Sequence, residues 1–372
     1  MKFIINKFQI VSVLAKVQGL TGRRSNLAIT ENILIRSVTD GIHLTATDLE
    51  TGFEGFYPAS VEKEGAVAVS AKKLFEILRE FPSEDILINE VENRWIEIGN
   101  DKVQYHIVGM NPDDFPETPH IIEVDFFSID ASILEKMIER SIIISATGDE
   151  KRAHINGVFV ERTHRKDANR LRFVSTDGGR LSAVDNFYSS PEVIPAGDGV
   201  LVPKKGLNEV AKFLDIDGEV QVGIKESNFI VKKEKETIII RMLEGEFPKY
   251  EDIISKGNDH IIQLDKIKFR KLLKRMSILA TDNYNGAVFT FDDNKLVVTA
   301  TNPDYGESKE ETEIKFSGDP IEAAFNPKFF LDTLSVIDDD KIIINIVDGS
   351  RPCIIEGDTD KTFISVIMPM RI

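Results

Sequence analysis

Three short segments of this chain share one design, in which one or two lysines stand at the start of an amphipathic helix. They are residues 202–214 (VPKKGLNEVAKFL), 70–81 (SAKKLFEILREF) and 325–337 (FNPKFFLDTLSVI). In the first segment a proline suited to a helix start precedes the lysines, and Leu207, Val210, Ala211 and Leu214 follow the spacing of one buried helical face. Three copies of one helix indicate that the chain is built from an internal repeat.

Four landmarks recur in the same order in each third of the chain. An amphipathic helix comes first (7–20, 131–143 and 267–280), and short strands then close on a turn of Thr-Asp type (44–48, 173–177 and 298–302). The lysine-led helix follows 24 to 27 residues later, and each third finishes on an apolar residue before a proline, at Pro116, Pro248 and Pro369. The period of roughly 125 residues is too long for a solenoid unit, so each copy is predicted to be a complete domain.

The repeat predicts three similar domains, which we bound at residues 1–121, 122–254 and 255–372. Each would contain two helices and about eight strands, several with the alternating pattern of a half-buried antiparallel sheet. Such a mixture, with the helices on one face of the sheet, is an α+β fold. If the domains join in one direction, we expect their helices to share a common side of the molecule.

Charge is distributed unevenly along the chain. The formal net charge is −16, yet the six predicted helices together carry about +12 and the rest of the chain about −28. Much of the positive charge lies in residues 1–30 and in residues 265–276. Segregation of this size predicts a basic helical surface on an acidic body, although charged helix faces are often only solvated.

Motifs that would indicate catalysis or a cofactor are not found in the sequence. It has no glycine-rich phosphate loop, its six histidines lack the spacing of metal ligands, and Cys353 is its only cysteine. No stretch approaches the roughly 20 apolar residues of a membrane span, so we expect a cytoplasmic protein without metal or cofactor. Two other classes stay open from the residues alone: a scaffold that binds only proteins, and a hydrolase with a dispersed site around His154, Ser175 and Asp177.

The landmarks together resemble those of the bacterial DNA polymerase III beta subunit, the sliding clamp, over essentially the whole chain. The residues that carry the resemblance are Met1-Lys-Phe, Thr45-Ala-Thr-Asp48-Leu-Glu50, Asn156-Gly157, Thr176-Asp177-Gly178-Gly179-Arg180-Leu181, Val202-Pro-Lys-Lys205, Phe247-Pro248 and the final Val366-Ile-Met-Pro-Met-Arg-Ile372. The resemblance implies the DNA-clamp fold, with two copies joined head to tail into a six-domain ring that has helices inside and sheets outside. It also implies a processivity factor that encircles duplex DNA, tethers the replicative polymerase and catalyses no chemical step.

A ring of this kind would hold phosphates through lysine and arginine without reading the base sequence. The candidate DNA contacts are Arg24, Lys72, Lys73, Lys204 and Lys205, with Arg152 and Lys328 as further members. As single residues they could equally be ordinary solvated side chains of helix surfaces.

The resemblance also implies a groove between the second and third domains that takes short peptides from polymerases, the clamp loader, and repair and translesion proteins. The matching positions are Ile155, Thr176, Gly178, Arg180, Leu181, Pro248, Ile253, Tyr284, Asn326, Phe329, Val366, Met368, Pro369, Met370 and Arg371. The set is apolar and contains adaptable methionines, which suits a pocket for several partners. Gly179 stands where many members of the family carry histidine, and Asp252 stands where some carry arginine.

For the joint between two copies, the matching positions are Tyr105 and Ile107 in the first domain and Ile278 and Leu279 in the third. Lys72 or Lys73 would face an acidic run across this joint, formed by Asp304, Glu307, Glu310 and Glu311. Exposed pairs of this kind contribute little to stability, so we expect them to tune opening.

Overall fold

The computed structural model describes the chain at residues 1–22, 27–100, 102–119, 121, 123–144, 152–165, 168–187, 199–214, 217–255, 260–281 and 285–371. The elements of the first third are β1 (Lys2–Asn6), α1 (Lys7–Val17), β2 (Asn32–Val38), β3 (Gly41–Thr47), β4 (Thr51–Pro58), β5 (Ser60–Lys63), β6 (Gly65–Ser70), α2 (Ala71–Glu80), β7 (Asp85–Glu90), β8 (Trp95–Gly99) and β9 (Gln104–Val108).

The second third follows this order with one added helix and one strand fewer before its lysine-led helix. Its elements are β10 (Phe126–Asp130), α3 (Ala131–Ile142), α4 (Ala153–Asn156), β11 (Gly157–Arg165), β12 (Ala168–Thr176), β13 (Arg180–Phe187), β14 (Val200–Pro203), α5 (Lys204–Phe213), β15 (Glu219–Lys225), β16 (Asn228–Lys233) and β17 (Glu236–Arg241). The last third contains β18 (His260–Asp265), α6 (Lys266–Met276), β19 (Ala287–Asp292), β20 (Lys295–Asn302), β21 (Gly306–Glu313), β22 (Ile321–Phe325), α7 (Pro327–Ser335), β23 (Lys341–Ile346), β24 (Cys353–Gly357) and β25 (Phe363–Ile367). The α+β prediction is confirmed.

The helix that leads each third begins directly after an Asn or Asp side chain that caps it. Oδ1 of Asn6 accepts from the amide of Phe8 (3.0 Å), and Oδ1 of Asp265 accepts from the amide of Lys268 (2.8 Å). In the middle third, Oδ1 of Asp130 accepts from the amide of Ser132 (2.9 Å). These bonds satisfy amides that the first helical turn leaves without a partner, which is why the helices start at matched positions.

The Thr-Asp landmark forms a similar turn in each third. Oδ1 of Asp48 accepts from the amide of Thr51 (2.7 Å), and Oδ1 of Asp177 accepts from the amide of Arg180 (3.1 Å). Asn302 replaces the aspartate in the third copy, and its Oδ1 accepts from the amide of Asp304 (3.0 Å). A short polar side chain that bonds the backbone two or three residues later defines such turns, so the motif is structural in all three places.

The described chain forms two compact units, one of which holds Met1–Glu135 with Lys205–Met242 and the other most of the remaining residues. The first unit contains a five-stranded sheet in the order β5-β1-β7-β8-β9 and an eight-stranded sheet in the order β10-β15-β16-β17-β4-β3-β2-β6. The second contains an eight-stranded sheet, β14-β11-β12-β13-β25-β24-β23-β18, and a four-stranded sheet, β21-β20-β19-β22. The units do not coincide with the repeats, since residues 122–254 contribute to both. The boundaries after residues 121 and 254 stay a prediction.

Each eight-stranded sheet joins strands from two successive repeats. β4 pairs antiparallel with β17, from Thr51 opposite Ile240 to Gly55 opposite Glu236. β13 pairs in the same way with β25, from Arg180 opposite Ile367 to Val184 opposite Phe363. Backbone hydrogen bonds therefore link the repeats inside each unit, and the second of these junctions positions the site.

Aromatic side chains fill the core beneath the last two helices. The Phe330 ring stacks on the Phe289 ring at 5.1 Å and meets Phe325 and Phe269 edge-on. On the surface of this helix pair, Nζ of Lys266 donates to the carbonyl of Ile337 (2.8 Å) at the end of α7. Lys7 makes the matching bond to the carbonyl of Phe81 after α2. The repeat thus includes a lysine that satisfies a carbonyl at the end of the neighbouring helix.

Candidate functional site

The second unit brings the end of the chain against the turn that joins β12 to β13. Leu181 lies opposite Val366 in the sheet, and the amide of Met368 donates to the carbonyl of Gly179 (2.9 Å). Two residues later, the amide of Met370 donates to the carbonyl of Ala324 (2.7 Å). The tail after β25 is therefore held by the backbone at two points, against the turn at Gly179 and against Ala324 of β22.

Other predicted groove residues lie on three further segments of the same unit. Asn326 caps α7 by accepting from the amide of Lys328 (2.9 Å), and Phe329 follows it on that helix. Pro248 and Ile253 are exposed on the segment between β17 and β18. Ile155 is buried in α4. Tyr284 lies outside the described residues, and Pro369 and Arg371 belong to the tail that follows β25.

The turn at residues 176–180 depends on two glycines in different ways. Gly178 has a φ of 89°, in the left-handed region that glycine adopts without strain. Gly179 has no such requirement, but a β-carbon there would lie 3.4 Å from Cε2 of Phe329. The absence of a side chain at Gly179 therefore leaves the edge of the Phe329 ring uncovered.

Arg180 ties the turn to α7. Its Nε donates to Oδ2 of Asp177 (2.9 Å) and its Nη1 donates to Oδ2 of Asp332 (2.7 Å). The guanidinium lies over the Phe329 ring at 4.3 Å, and the side chain is buried. Two carboxylates and an aromatic face thus hold one planar cation, an arrangement for which arginine is suited and lysine is not. Arg180 therefore links the turn to α7, and Asp177 and Asp332 already neutralise its charge.

A cavity of about 660 Å³ opens beside the Arg180 side chain. Its lining includes Gly179, Arg180, Asn326 and Phe329 from the predicted groove, together with Lys328. The Lys328 side chain is exposed, and no ion pair with another described residue is recorded for it. Lys328 was predicted to contact DNA, whereas in the structure it lines this cavity.

Lys204 is turned inward, although it was predicted to contact phosphate. Its Nζ donates to the carbonyl of Ile155 (2.6 Å), and the side chain is half-buried. Burial lowers the pKa of Lys204 to about 8, with Asp177 opposing this shift and Arg180 adding to it. The ammonium is therefore committed to the protein near Ile155, which corrects its assignment as a free phosphate contact.

The other predicted DNA contacts have different surroundings. Lys205, in the first unit, forms an ion pair with Asp48 (2.5 Å) and is only partly exposed. Lys72 and Lys73 are exposed on α2, and Lys73 also pairs with Glu76 (2.8 Å). Arg152 is exposed just before α4, and Arg24 lies outside the described residues. Lys72 is therefore exposed without a recorded ion pair within the described chain, as Lys328 is, and Lys73 is exposed but shared with Glu76.

Four basic residues that were not selected from the sequence stand on α6. Lys268, Arg270, Lys271 and Lys274 are all exposed, and within the described chain no ion pair is recorded for any of them. Arg275 on the same helix is instead paired with Glu310. The sequence did mark this helix, because residues 265–276 form one of its two most basic stretches. Charge alone, however, does not distinguish an unpaired basic side chain from one in an ion pair.

The residues predicted for the joint between copies lie on an edge strand in the first third and on a 3₁₀ turn in the last. β9, which carries Tyr105 and Ile107, is the outermost strand of the five-stranded sheet, and β21 is the outermost strand of the four-stranded sheet. Ile278 is 76% exposed and Leu279 follows it in a 3₁₀ turn. Nδ2 of Asn302 fixes this turn by donating to the carbonyl of Leu279 (2.7 Å).

Tyr305 adds an aromatic residue to that place, which the sequence did not indicate. It is 70% exposed, and its amide donates to the carbonyl of Asn302 (3.2 Å). Of the acidic run that was expected to face Lys72 or Lys73, Glu310 is already paired with Arg275, and Glu311 lies 4.0 Å from Lys295. Asp304 and Glu307 are exposed and have no recorded ion pair within the described part of the chain.

Two of the residues on which the hydrolase alternative depends, Ser175 and Asp177, have structural roles. The Ser175 side chain is buried, and its Oγ donates to the carbonyl of Ser141 (2.6 Å). Asp177 is occupied by its turn and by Arg180. Among the described residues no group of His, Cys, Asp and Glu could hold a metal ion. No helix in the same residues is both long and apolar enough to cross a membrane.

Comparison with known proteins gives the same family along the whole chain. Sequence models of the DNA polymerase III beta subunit match as its N-terminal domain at residues 1–119, its central domain at 128–249 and its C-terminal domain at 251–371. The beta sliding clamp of Chlamydia pneumoniae is 26% identical over 372 residues, which cover all of this chain and 99% of that protein. The beta sliding clamp of Pseudomonas aeruginosa is 29% identical over 380 residues, with both chains fully covered.

A solved structure agrees with these sequence matches. The DnaN sliding clamp (DNA polymerase III subunit beta) from Bartonella birtlesii, crystallised bound to griselimycin, superposes with a TM-score of 0.93. It is 26% identical, and the alignment covers all of both chains.

Proposed function

This chain belongs to the DNA polymerase III beta subunit family, and we propose that it serves DNA replication as a ring-shaped sliding clamp. As a member of this family it is a non-catalytic accessory subunit of DNA polymerase III. The observation that carries the proposal is that all three domain models match in order, from residue 1 to residue 371. We place its action in the cytoplasm, where bacterial replication takes place.

The ring would form when two copies join head to tail. In this proposal, β9 of one copy meets β21 of the other, so that two unpaired sheet edges become one continuous sheet. Exposed apolar residues support the choice of these edges: Tyr105 and Val108 on β9, and Ile278 and Tyr305 near β21. A head-to-tail contact produces a closed ring only when the rotation at each joint closes, and two copies then suffice.

Duplex DNA would pass through this ring without being read. Lys72 and Lys73 on α2, and the four free cations of α6, are exposed and can make phosphate contacts that rearrange as the protein slides. The acidic remainder of the chain supports the proposal, because it repels DNA from surfaces outside the basic helices.

The groove of the second unit would take short peptides from the polymerase, the clamp loader, and repair and translesion proteins. The backbone-fixed tail, Arg180 on its two carboxylates and the uncovered edge of Phe329 support this assignment. The open space beside Gly179 and the acidic Asp252 would shift the preferred peptide away from that of relatives with larger or basic residues there. Griselimycin is a suitable probe, since a related clamp has been crystallised with it.

A topological test separates a ring from a scaffold that binds only proteins. The protein is loaded by its clamp loader onto a nicked circular plasmid, and the complex is isolated by gel filtration at moderate salt. We expect it to stay on the circle and to leave when the plasmid is cut once, because a ring slides off free ends. A cut plasmid whose biotinylated ends carry streptavidin is the control, and it should retain the protein. Retention on the cut plasmid with free ends would contradict the proposal.

A further inference from the structure

In the proposed groove, one wall would be a segment that has no regular secondary structure of its own. Residues 246–254, which we name the connector, join the repeat that ends in β17 to the one that begins with β18, and they form turns but no helix or strand. Pro248 and Ile253 are exposed on it. Because ladder hydrogen bonds do not fix the connector, some other contact has to determine where these two residues lie.

Tyr250 provides that contact through its hydroxyl. The residue is 2% exposed, and its Oη donates to Oε1 of Glu161 on β11. Nη1 of Arg172 on β12 approaches the same oxygen at 3.5 Å. Arg172 is itself held by Asp185 on β13 through two bonds, of 2.5 Å and 2.7 Å. Side chains from two adjacent strands thus contact the phenol, and a third strand holds one of them in place.

The same residue holds the connector and the groove floor together. The carbonyl of Tyr250 accepts from the amides of Ile253 (2.9 Å) and Ile254 (3.2 Å), which fixes the turn that presents Ile253. The ring packs in a buried cluster with Leu181 and Val366, which lie on the two strands beneath the groove. The rings of Tyr250 and Phe247, the residue before Pro248, meet edge-on with their centroids 5.9 Å apart.

We propose that Tyr250, anchored by Glu161 and Arg172, is a positioning residue that sets the distance between the connector and the C-terminal tail, and through it the affinity of the groove for peptides. The inference rests on the proposed function of this groove. A bound peptide would touch the exposed Pro248 and Ile253 and not the buried phenol. The buried hydroxyl therefore acts only through the wall that it holds, and a groove set in advance loses less entropy on binding.

The test measures griselimycin binding to the full-length protein by calorimetry. Tyr250→Phe keeps the ring in its cluster and removes only the hydroxyl. We expect binding to weaken about 5- to 10-fold, because the connector loses one hydrogen bond and the ligand then has to order it on binding. Glu161→Gln keeps an acceptor for the phenol and should retain the affinity, whereas Glu161→Ala should behave like Tyr250→Phe. The double variant Tyr250→Phe/Glu161→Ala should lose no more than either single variant, because the two act through one bond. Hydrogen exchange should quicken at residues 253 and 254.

Tyr57→Phe is the matched control. Tyr57 is also buried and donates to a half-buried glutamate, Glu236, but it belongs to the other unit. Tyr57→Phe should lower the melting temperature about as much as Tyr250→Phe does, and it should leave the affinity for griselimycin unchanged. An unchanged affinity in Tyr250→Phe, or an equal loss in Tyr57→Phe, would overturn the proposal.

Removal of residues 368–372 separates failure of this inference from failure of the proposed function. That deletion takes away one wall of the groove and should abolish binding. If the deletion abolishes binding and Tyr250→Phe does not weaken it, the positioning role is wrong and the groove stands. If the deletion variant binds like the wild type, or if the wild type does not bind, both the groove assignment and this inference are wrong.

Discussion

Arg140 is a buried cation of the second repeat that is held by acidic groups of the third. Its Nη2 donates to Asp360 (2.7 Å) and lies 3.5 Å from Asp338, and its Nη1 donates to Oγ1 of Thr362 (3.1 Å). The guanidinium also lies over the Phe363 ring at 5.3 Å. Burial alone would raise the pKa of Asp360, but hydrogen bonds from Thr362 and Arg140 outweigh it and lower the pKa to about 2. This cluster therefore stabilises the fold only while its carboxylates are ionised.

The variant Arg140→Met should reduce the free energy of unfolding by about 2–3 kcal/mol at pH 7, below the 3–5 kcal/mol of a fully buried pair because Asp338 stays hydrated. The folded pKa of Asp360 lies below its unfolded value of about 3.9, so the wild-type contribution is complete above that pH and is lost as the pH falls towards 2. Denaturant unfolding at pH 7, 5 and 3.5 should show a smaller fall with acid in the variant. Arg79→Met, which removes an exposed pair with Glu80, should cost little at any of these pH values. An equal loss in both variants would show that Arg140 has no special role.

Neighbouring lysines show what a sequence can predict about single residues. Periodicity indicates that Lys204 and Lys205 start a helix, and they do. It gives no information about side-chain rotamers, so it could not distinguish the Lys204 ammonium, turned to the Ile155 carbonyl, from Lys205, paired with Asp48. The contacts of Arg180 were hidden for the same reason, since Asp332 is 152 residues away in sequence.

Among the elements, α6 shows the largest contrast between charge and pairing. Its buried face consists of Phe269, Leu272, Leu273 and Met276, and the basic residues occupy the remaining surface. The carboxylate of Asp265, just before the helix, is already used to cap it. The basic side chains of α6 therefore stay available to bind a partner. We expect α6 to contribute more to phosphate binding than α5, where two of the three lysines are bound to acidic side chains and the third to a carbonyl.

Replacing Lys268, Arg270, Lys271 and Lys274 with glutamine should weaken sequence-independent DNA binding and its dependence on salt. Each phosphate contact that is lost should reduce the slope of log K against log salt by about 0.9. Fluorescence anisotropy with a labelled duplex between 50 and 200 mM salt measures this slope. The control changes Lys266 and Lys341, which lie in the same unit, to glutamine and should leave the slope unaltered. A slope that stays at the wild-type value in the α6 variant would exclude this helix from the DNA contact.

Elements were more predictable than their pairing. Periodicity placed all three lysine-led helices within two residues at each end, because a buried stripe and a capping residue are both local signals. It could not indicate that β17 pairs with β4, or β25 with β13, since alternation specifies a face and not a neighbour. For the groove, family resemblance supplied the residues, and local patterns alone would not have joined a tail to a turn almost 190 residues earlier.

At the scale of the whole molecule, the proposed ring depends on a small apolar joint. Ile278 and Leu279 lie on a 3₁₀ turn that Asn302 fixes, with Tyr305 bonded to the same asparagine. Because the turn is fixed and Ile278 and Tyr305 stand exposed, they can bury apolar area in a second copy with little loss of entropy.

The double variant Ile278→Asp/Leu279→Asp should be a folded monomer. Burying a charge without a partner is costly, and the loss of two apolar contacts of roughly 1.5–3 kcal/mol each should raise the dissociation constant of the dimer at least about 100-fold. Sedimentation equilibrium at micromolar concentration gives the mass, and circular dichroism confirms the fold. Ile261→Asp, which changes another exposed isoleucine of the same unit, should leave the dimer intact. A dimer that survives the double change would show that the joint lies elsewhere.

The pairing of β4 with β17 also governs how the protein is made. β4 ends at Pro58, but its partner is completed only at Arg241, about 180 residues later, which at about 5–20 residues per second corresponds to roughly 10–40 s of translation. Throughout that interval the growing chain carries a sheet edge without its neighbour, next to other ribosomes that display the same edge. For a protein of this architecture, the speed of the ribosome and the spacing of polysomes therefore determine the yield of native chains as directly as the stability of the finished fold.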